Sequence, residues 1–523
     1  MIGAVLALLS LLLFVVYHAS TWKFNYWKKR KVPFLQPAPI VGNYGPYIMQ
    51  KQYVGHTAQE ICEKFPNEPY FGAFYGTEPT LMVQHPEMIK TVMTKDFYFF
   101  NSREIANYTH KELVTQSIFF TYGDKWKVLR QNLTPIFSSA KMKNMFHLID
   151  KCAHVFENML DRELKTDNEQ YVRPLMTRFT MDCIGSCAFG IETNTMAPNY
   201  ENNPFTVMGT LIFSDSYYRN IKNIGRAIWP AIFYGLGMQN FPIDIGKSFT
   251  KLMKEVFADR QNKPSNRNDF IDLILNWKKE SCITGDKIQN MKGDINEKVS
   301  LEVNDDLLVS QISSFFAAGY ETSATTMHYT LYELAKNQEA QQRVLDEIDE
   351  YLLRHKNKIG FDCITDLPFT DACFNEVLRL YPVLGILTRE VVDDYTLPCG
   401  AVIEKGVRVH IPVHHLHHNP DFFPDPEEFR PERFYGDEKR NIKPYTYIPF
   451  GEGPRLCMGM RFAKMQMSAG IMTVLKKYRV ELAADTPRKV TQFEATTMVT
   501  LPKEKIKLKF VEREGWQQRQ YSA

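Results

Sequence analysis

Whatever fold this chain of 523 residues adopts has to accommodate one loop, Phe450-Gly451-Glu452-Gly453-Pro454-Arg455-Leu456-Cys457-Met458-Gly459, in which a lone thiol sits between a glycine-rich turn and an apolar helical pattern. Gly451, Gly453 and Gly459 carry no Cβ, so the backbone there can turn tightly and approach a flat ligand closely. From Met460 the run Arg461-Phe462-Ala463-Lys464-Met465-Gln466-Met467 reads as a helix, whose N-terminal partial charge favours an anion at Cys457. Arg455 adds a planar guanidinium able to fork onto an acidic group. On these residues alone two readings stand: a structural cysteine packed in a turn, or a thiolate that ligates a metal.

Three other segments carry charge inside apolar helical patterns. Within residues 117–130, Trp126 and Arg130 are four apart and share a helix face, which an ordinary amphipathic helix would also produce. Asn304-Asp305-Asp306 can cap a long helix whose apolar pattern runs from Leu307 to about Ala335. Its middle reads Ala317-Ala318-Gly319-Tyr320-Glu321-Thr322-Ser323. Glycine there costs ~1 kcal/mol against alanine, which implies that a ligand or another backbone needs the room. Thr322 can bond the carbonyl of Ala318 and bend the helix, opening a groove. Glu376 and Arg379 are three apart on a helix that is apolar around them, although an exposed pair of this kind contributes only ~0.2–0.5 kcal/mol.

Residues 2–17 are apolar apart from Ser10, and the run extends to Trp22, within the ~17–25 residues that span a bilayer. Positive charge follows it, at Lys23, Lys28, Lys29, Arg30 and Lys31, as in a retained anchor and unlike a cleaved signal peptide. Trp22, Tyr26 and Trp27 suit the headgroup level. The expected organisation is therefore an anchor over 1–22, a basic and proline-rich neck over 23–42, and a globular domain over 43–523. With 44% hydrophobic and 13% aromatic residues a large core is expected, and a net charge of +3 is too mild for a nucleic-acid binder. Nine scattered cysteines suit a reducing, cytosol-facing location. Under that topology the acceptor patterns at Asn107 and Asn132 stay unglycosylated. Cys183 and Cys187 are expected in the core, residues 285–304 as a surface loop, and the tail from Glu512 as disordered. The cluster His410, His414, His415, His417 and His418 raises a metal site without acidic or thiol partners in sequence.

Five motifs lie far apart in the sequence: Trp-x-x-x-Arg at 126–130, Ala-Gly-x-Glu-Thr at 318–322, Glu-x-x-Arg at 376–379, Pro-Glu-Arg-Phe at 431–434 and Phe-x-x-Gly-x-Arg-x-Cys-x-Gly at 450–459. Together they resemble the cytochrome P450 family. The finer runs Thr-Met-Asp-Cys-Ile-Gly-Ser-Cys-Ala-Phe-Gly and Leu-Thr-Pro-Ile-Phe-Ser-Ser-Ala-Lys-Met-Lys resemble insect microsomal members of the detoxifying kind. The resemblance implies a fold that is mainly α with small β-sheets, a helical haem domain behind a single N-terminal transmembrane helix. It implies haem b as cofactor with Cys457 as the iron ligand, Trp126 and Arg130 on one propionate, and Arg389 and Arg455 as further propionate-binding positions. Ala318, Gly319, Phe450, Gly451 and Gly459 are implied to border the haem, and Thr322 and Glu321 to manage protons during oxygen activation. Substrate contacts are expected from Ile118, Phe119, Phe120, Phe315, Ala318, Val383, Leu387 and Met498, and a structural triad from Glu376, Arg379 and Arg433. The helices over residues 204–252 are expected to roof the pocket and dip into the membrane. The implied activity is monooxygenation in the endoplasmic reticulum membrane, with the haem domain cytosolic. Electrons come from NADPH through cytochrome P450 reductase, with cytochrome b5 as a further candidate partner. One atom of dioxygen enters an apolar substrate, a xenobiotic such as an insecticide or plant toxin, or an endogenous hormone or lipid. Two rivals remain: a haem-thiolate enzyme that rearranges peroxides, whose relatives depart from the acid-threonine motif present here, and a non-catalytic haem sensor.

Overall fold

The capped apolar run forms one uninterrupted helix, Asp305–Lys336, and the rest of the chain packs around it. Asn304 Oδ1 accepts the Leu307 N–H at 2.8 Å, satisfying one of the donors that a helix N-terminus leaves open. The helix is apolar on nearly all sides because helices Val172–Ile184, Met460–Leu475 and Pro368–Leu380 all pack on it. A computed structural model describes the chain except residues 1, 105, 214–215, 262, 266–268, 294–295 and 520–523. The room expected beside Gly319 is taken by protein, since a Cβ there would meet Ile184 Cδ1 at 2.4 Å. Helix packing, not a ligand, explains that glycine. Cys183 and Cys187 are buried in the same core, as expected.

A four-stranded sheet flanks the helices in the order Tyr70–Tyr75, Glu78–Val83, Arg408–Ile411, Leu387–Glu390, with only the middle pair parallel. A three-stranded antiparallel sheet joins Tyr478–Leu482, Lys507–Glu512 and Glu169–Tyr171. Residues 285–304 are not a plain loop: Cys282–Asp286 pairs with Lys298–Glu302 as an antiparallel hairpin, Ile283 facing the core and Lys298 bridging Asp286 at 2.5 Å. The tail is likewise ordered from Glu512 to Arg519, because Arg513 and Arg519 both reach Asp349, at 2.6 and 2.9 Å, and Trp516 lies under Lys477, residues 520–523 lying outside the described ones.

The anchor and neck are distinct in a different way from the one expected. Helix Ile2–Thr21 has a mean hydropathy of 2.4 and none of its most apolar stretch is buried by the rest of the chain, which fits a membrane anchor. Trp22 is exposed, but Trp27 is fully buried, donating Nε1–H to the Ala73 carbonyl at 3.0 Å and lying where a Cβ on Gly72 would clash at 2.3 Å. Tyr26 and Arg30 both bond Glu404, and Lys23 reaches Glu78 at 2.6 Å. The neck is thus riveted to the sheet, and the aromatic residues assigned to the headgroup level reduce to Trp22. Asn132 is unsuited to carry a glycan, as its Nδ2 donates to the carbonyls of Val128 and Thr284 at 2.9 and 2.8 Å.

Candidate functional site

The cysteine loop is built from backbone geometry that only glycine adopts easily. Gly451 and Gly453 have φ of 74° and 67°, and a Cβ on Gly453 would lie 2.0 Å from the Met93 carbonyl oxygen. The Cys457 N–H donates to the Phe450 carbonyl at 3.0 Å, and Gly459 leads into helix Met460–Leu475. Cys457 is exposed while Arg455, two residues before it, is buried. Burial by the surrounding protein still pushes the thiol up, against the Gly459 amide and the charges of Arg130 and Arg103, which favour the thiolate. The helix terminus and the cations therefore do not ionise the sulfur unaided, whereas coordination of a metal would.

Four guanidinia converge here from four segments. Arg455 donates Nε–H to the Asn101 carbonyl at 2.8 Å and other N–H groups to the carbonyls of Ile118, Phe119 and Thr121, and it lies 4.7 Å over the Trp126 ring. This fastens the 101–121 segment to the cysteine loop, a role the motif did not suggest. Arg389 is 2% exposed, gives one described hydrogen bond, Nη1 to the Thr388 carbonyl at 2.8 Å, and leaves Nε without a described partner. Burial presses it down to about 10, and burial with the charge of Arg389 presses Arg103 down to about 9. Arg455 is pressed further down by burial and then by Arg103, Arg389 and Arg130. Arginine stays protonated at neutral pH; burial is the main cause of each shift, and like charge adds to it at Arg103 and Arg455. No carboxylate figures among the groups that act on Arg103, Arg130, Arg389 or Arg455. A cationic field in which Arg389 and Arg455 are buried and Arg103 and Arg130 half-buried, with an orphaned donor beside an accessible sulfur, fits a metal-bearing ligand with acidic substituents, and haem with its two propionates has that chemistry. Arg103 was not legible in sequence, since Asn101-Ser102-Arg103 carries no motif.

Opposite charges and apolar walls complete the site. Along the mostly buried middle of the Asp305–Lys336 helix the accessible residues gather over 314–322, where Ser314, Phe315, Ala317, Gly319 and Thr322 are half-buried and Ala318 is exposed. Thr322 Oγ1 donates to the Ala318 carbonyl at 2.9 Å, as expected, yet the helix continues unbroken. Glu321 faces elsewhere: it is buried and ion-paired with Arg173 at 2.5 Å, at the lining of a cavity of about 330 Å³ that also includes Tyr320, Phe213 and Thr497. Ile118 is buried, and Phe119 and Phe120 are half-buried with ring centres 4.9 Å apart. Val383 packs with Leu378, Val499 and Leu501 against Phe213 and Phe450, Leu387 lies beside Gly451, and Met498 is 52% exposed. Phe315 departs from its expected place at the substrate wall, because its ring packs on Phe270 and Phe137 at 4.5 and 5.5 Å in the main core.

Beneath the loop, Glu376 and Arg379 are fully buried and joined by two bonds of 2.8 Å, and Arg433 Nε lies 3.4 Å from Glu376. Arg379 also donates to the carbonyls of His417, Pro426 and Glu428 at 2.9, 2.7 and 3.0 Å, tying down the irregular chain that leads to Cys457. His417 accepts the Ile448 N–H at 3.0 Å, and His410 sits between Tyr44 and Glu104 at 2.8 Å from each. The histidines are thus structural, and no grouping suited to a metal occurs among the described residues.

A family model for cytochrome P450 matches residues 32–510. Cytochrome P450 6B2 of Helicoverpa armigera is 35% identical over 508 residues, covering 97% of this chain and 98% of that protein. Cytochrome P450 6B5 of Papilio glaucus is 36% identical over 475 residues (90% and 96%), and cytochrome P450 6j1 of Blattella germanica 34% over 475 (90% of each).

Proposed function

The chain belongs to the cytochrome P450 family of haem-dependent monooxygenases, and from that premise we propose that Cys457 is the axial thiolate and that Arg103, Arg130, Arg389 and Arg455, with Trp126, hold the haem propionates. The observation that carries this reading is the accessible Cys457 sulfur inside a four-arginine field on which no carboxylate acts among the described residues. When bound, the haem would supply the reduction of dioxygen and the transfer of one oxygen atom, chemistry that a cysteine thiolate ligand favours.

The chain's own residues orient and protonate. The exposed Ala318, with the half-buried Ser314 and Thr322 one turn to either side, leaves room on the helix for a small ligand and the edge of a substrate. Thr322, its hydroxyl oriented by the Ala318 carbonyl, can hold a proton at Oγ1 facing that space. Glu321, paired with the half-exposed Arg173, stands where a proton can pass from the side cavity toward the helix. Ile118, Phe119, Phe120, Val383, Leu387 and Met498 form an apolar wall, suiting an apolar organic substrate such as a xenobiotic, hormone or lipid.

The reading continues to location and partners: electrons from NADPH through cytochrome P450 reductase, with cytochrome b5 as a further donor, at the endoplasmic reticulum membrane. Lys23, just after the apolar helix, reaches Glu78, and Trp229 Nε1 reaches Thr77 in the same turn, at 2.6 and 3.2 Å. The exit of the anchor and the exposed Trp229, Ile232 and Leu236 therefore lie on one side, which is the side we assign to the bilayer. The reduced protein treated with carbon monoxide should show the long-wavelength Soret band of a thiolate-ligated haem, and Cys457→His should abolish it. A wild-type spectrum lacking that band would overturn the assignment.

A further inference from the structure

Next to that exposed apolar side, a cleft of about 630 Å³ opens between residues 111–114 and helix Ile243–Asp259. Lys111 lines it from one wall and Lys247, Lys251 and Lys254 from the other, with Leu113 and Phe241 among its apolar residues. The acidic residues nearby do little to balance these charges. Lys247 approaches Asp244, and Lys251 approaches Glu255, only to 3.9 Å, with all four side chains exposed. Lys111 and Lys254 have no ion pair among the described residues. Glu112 also borders the cleft, but its carboxylate is committed inward, accepting from Tyr234 Oη at 2.7 Å and from the N–H groups of Asn240 and Phe241 at 3.1 and 2.9 Å. Two walls of like charge facing across an apolar cleft are held apart unless an anion lies between them.

We infer that this cleft takes the headgroup of an acidic phospholipid from the bilayer that holds the anchor, an inference that rests on the membrane side assigned above. Exposed apolar side chains argue for lipid over a free anion: Ile243, which lines the cleft, is 60% exposed, and it follows in the chain soon after Ile232 and Leu236, 60% and 72% exposed. Acyl chains would lie along that surface while the phosphate and its acidic substituent meet the lysines. The cleft also touches the substrate wall through sequence and packing. Leu113 and Val114 are a few residues before Ile118, and the Phe241 ring packs on Phe120. Neutralising the lysines draws the two walls together and orders residues 111–120, so lipid composition bears on how the pocket is closed.

The test uses the full chain in bilayer nanodiscs of phosphatidylcholine, with or without phosphatidylserine, read by amide hydrogen exchange across residues 108–116 and 243–255. Acidic discs should slow exchange there by about threefold or more, and the exposed triple variant K111Q/K247Q/K254Q should lose that difference. The control K28Q/K29Q/K31Q, equal in charge change and outside the cleft, should keep it. Equal exchange in both discs overturns the inference, as does loss of the effect in the control, which would mean diffuse surface charge. Protection reproduced by inorganic phosphate in neutral discs would replace the lipid with a free anion. A chain that enters no disc fails the anchor reading first, and this inference falls with it; since no turnover is measured, neither outcome depends on the oxidative chemistry.

Discussion

Arg389→Met should move two properties of the protein in opposite directions. The wild-type guanidinium is 2% exposed, has one described hydrogen bond, to the Thr388 carbonyl, and leaves Nε unpartnered, while burial presses its proton affinity down to about 10. In the haem-free chain it is a buried charge without a counter-ion, next to three others. Exchanging such a charge for an apolar side chain of similar reach is often stabilising by about 1–4 kcal/mol, from which the lost Thr388 bond subtracts about 1 kcal/mol. The haem-free variant should therefore unfold at the wild-type temperature or above it. On the proposed reading the same residue would pair with a propionate once haem is present, and hydrogen bonds to charged groups contribute about 1.5–3 kcal/mol each. Losing one or two should weaken haem retention by about 2–4 kcal/mol, about thirty- to several-hundred-fold. Thermal unfolding of the haem-free chain and haem transfer to an excess of apomyoglobin measure the two quantities separately. Arg389→Lys keeps the charge but not the fork, and should weaken retention less without the gain in haem-free stability. If the Met variant lowers haem-free stability and leaves haem transfer unchanged, Arg389 is a structural residue and the reading of the cationic field is wrong.

Thr322→Ala should cut product formation by on the order of 10² while hydrogen peroxide release rises and NADPH consumption continues; an unchanged ratio of product to peroxide removes Thr322 from proton handling. Arg379→Met removes both of its bonds to the buried Glu376, leaving that carboxylate the Arg430 N–H at 2.9 Å and Arg433 Nε at 3.4 Å, and deprives the carbonyls of His417, Pro426 and Glu428 of a donor. A loss of about 3–5 kcal/mol in denaturant unfolding is expected, and a loss below about 1 kcal/mol would mean that the triad is dispensable. Trp27→Ala empties a fully buried site under the sheet, so unfolding stability should fall by about 3–5 kcal/mol with the carbon monoxide spectrum intact. A neck that were only a tether would show no change.

What the sequence made legible were relations between near neighbours in the chain. The cap at Asn304, the Thr322 bond to Ala318 and the Glu376 pairing with Arg379 all follow from helix periodicity, and each is present at hydrogen-bonding distance. The misplaced residues were those whose environment another part of the chain supplies. Gly319 answers to Ile184, Phe315 to Phe137 and Phe270, and Trp27 to Gly72 and Ala73, and none of these partners is marked by spacing. Residues 285–304 read as a loop because their polarity dominated the pattern, although the alternation of Val299 and Leu301 with polar residues was compatible with an edge strand.

The same distinction separates the ligand from the field around it. Cys457 is recognisable because its loop must be built locally, from glycines that permit two positive φ angles and a turn over the Met93 carbonyl. The charge that would receive an acidic ligand is not local: Arg103, Arg130, Arg389 and Arg455 come from four segments, and Arg455 also straps the 101–121 segment to the cysteine loop. Because each guanidinium raises the cost of burying the next, the cluster opposes folding until an anion arrives. On the proposed reading, haem binding and closure of that segment would then be coupled steps, the Cys457 sulfur fixing where the ligand sits and the arginines making the closed chain depend on its presence.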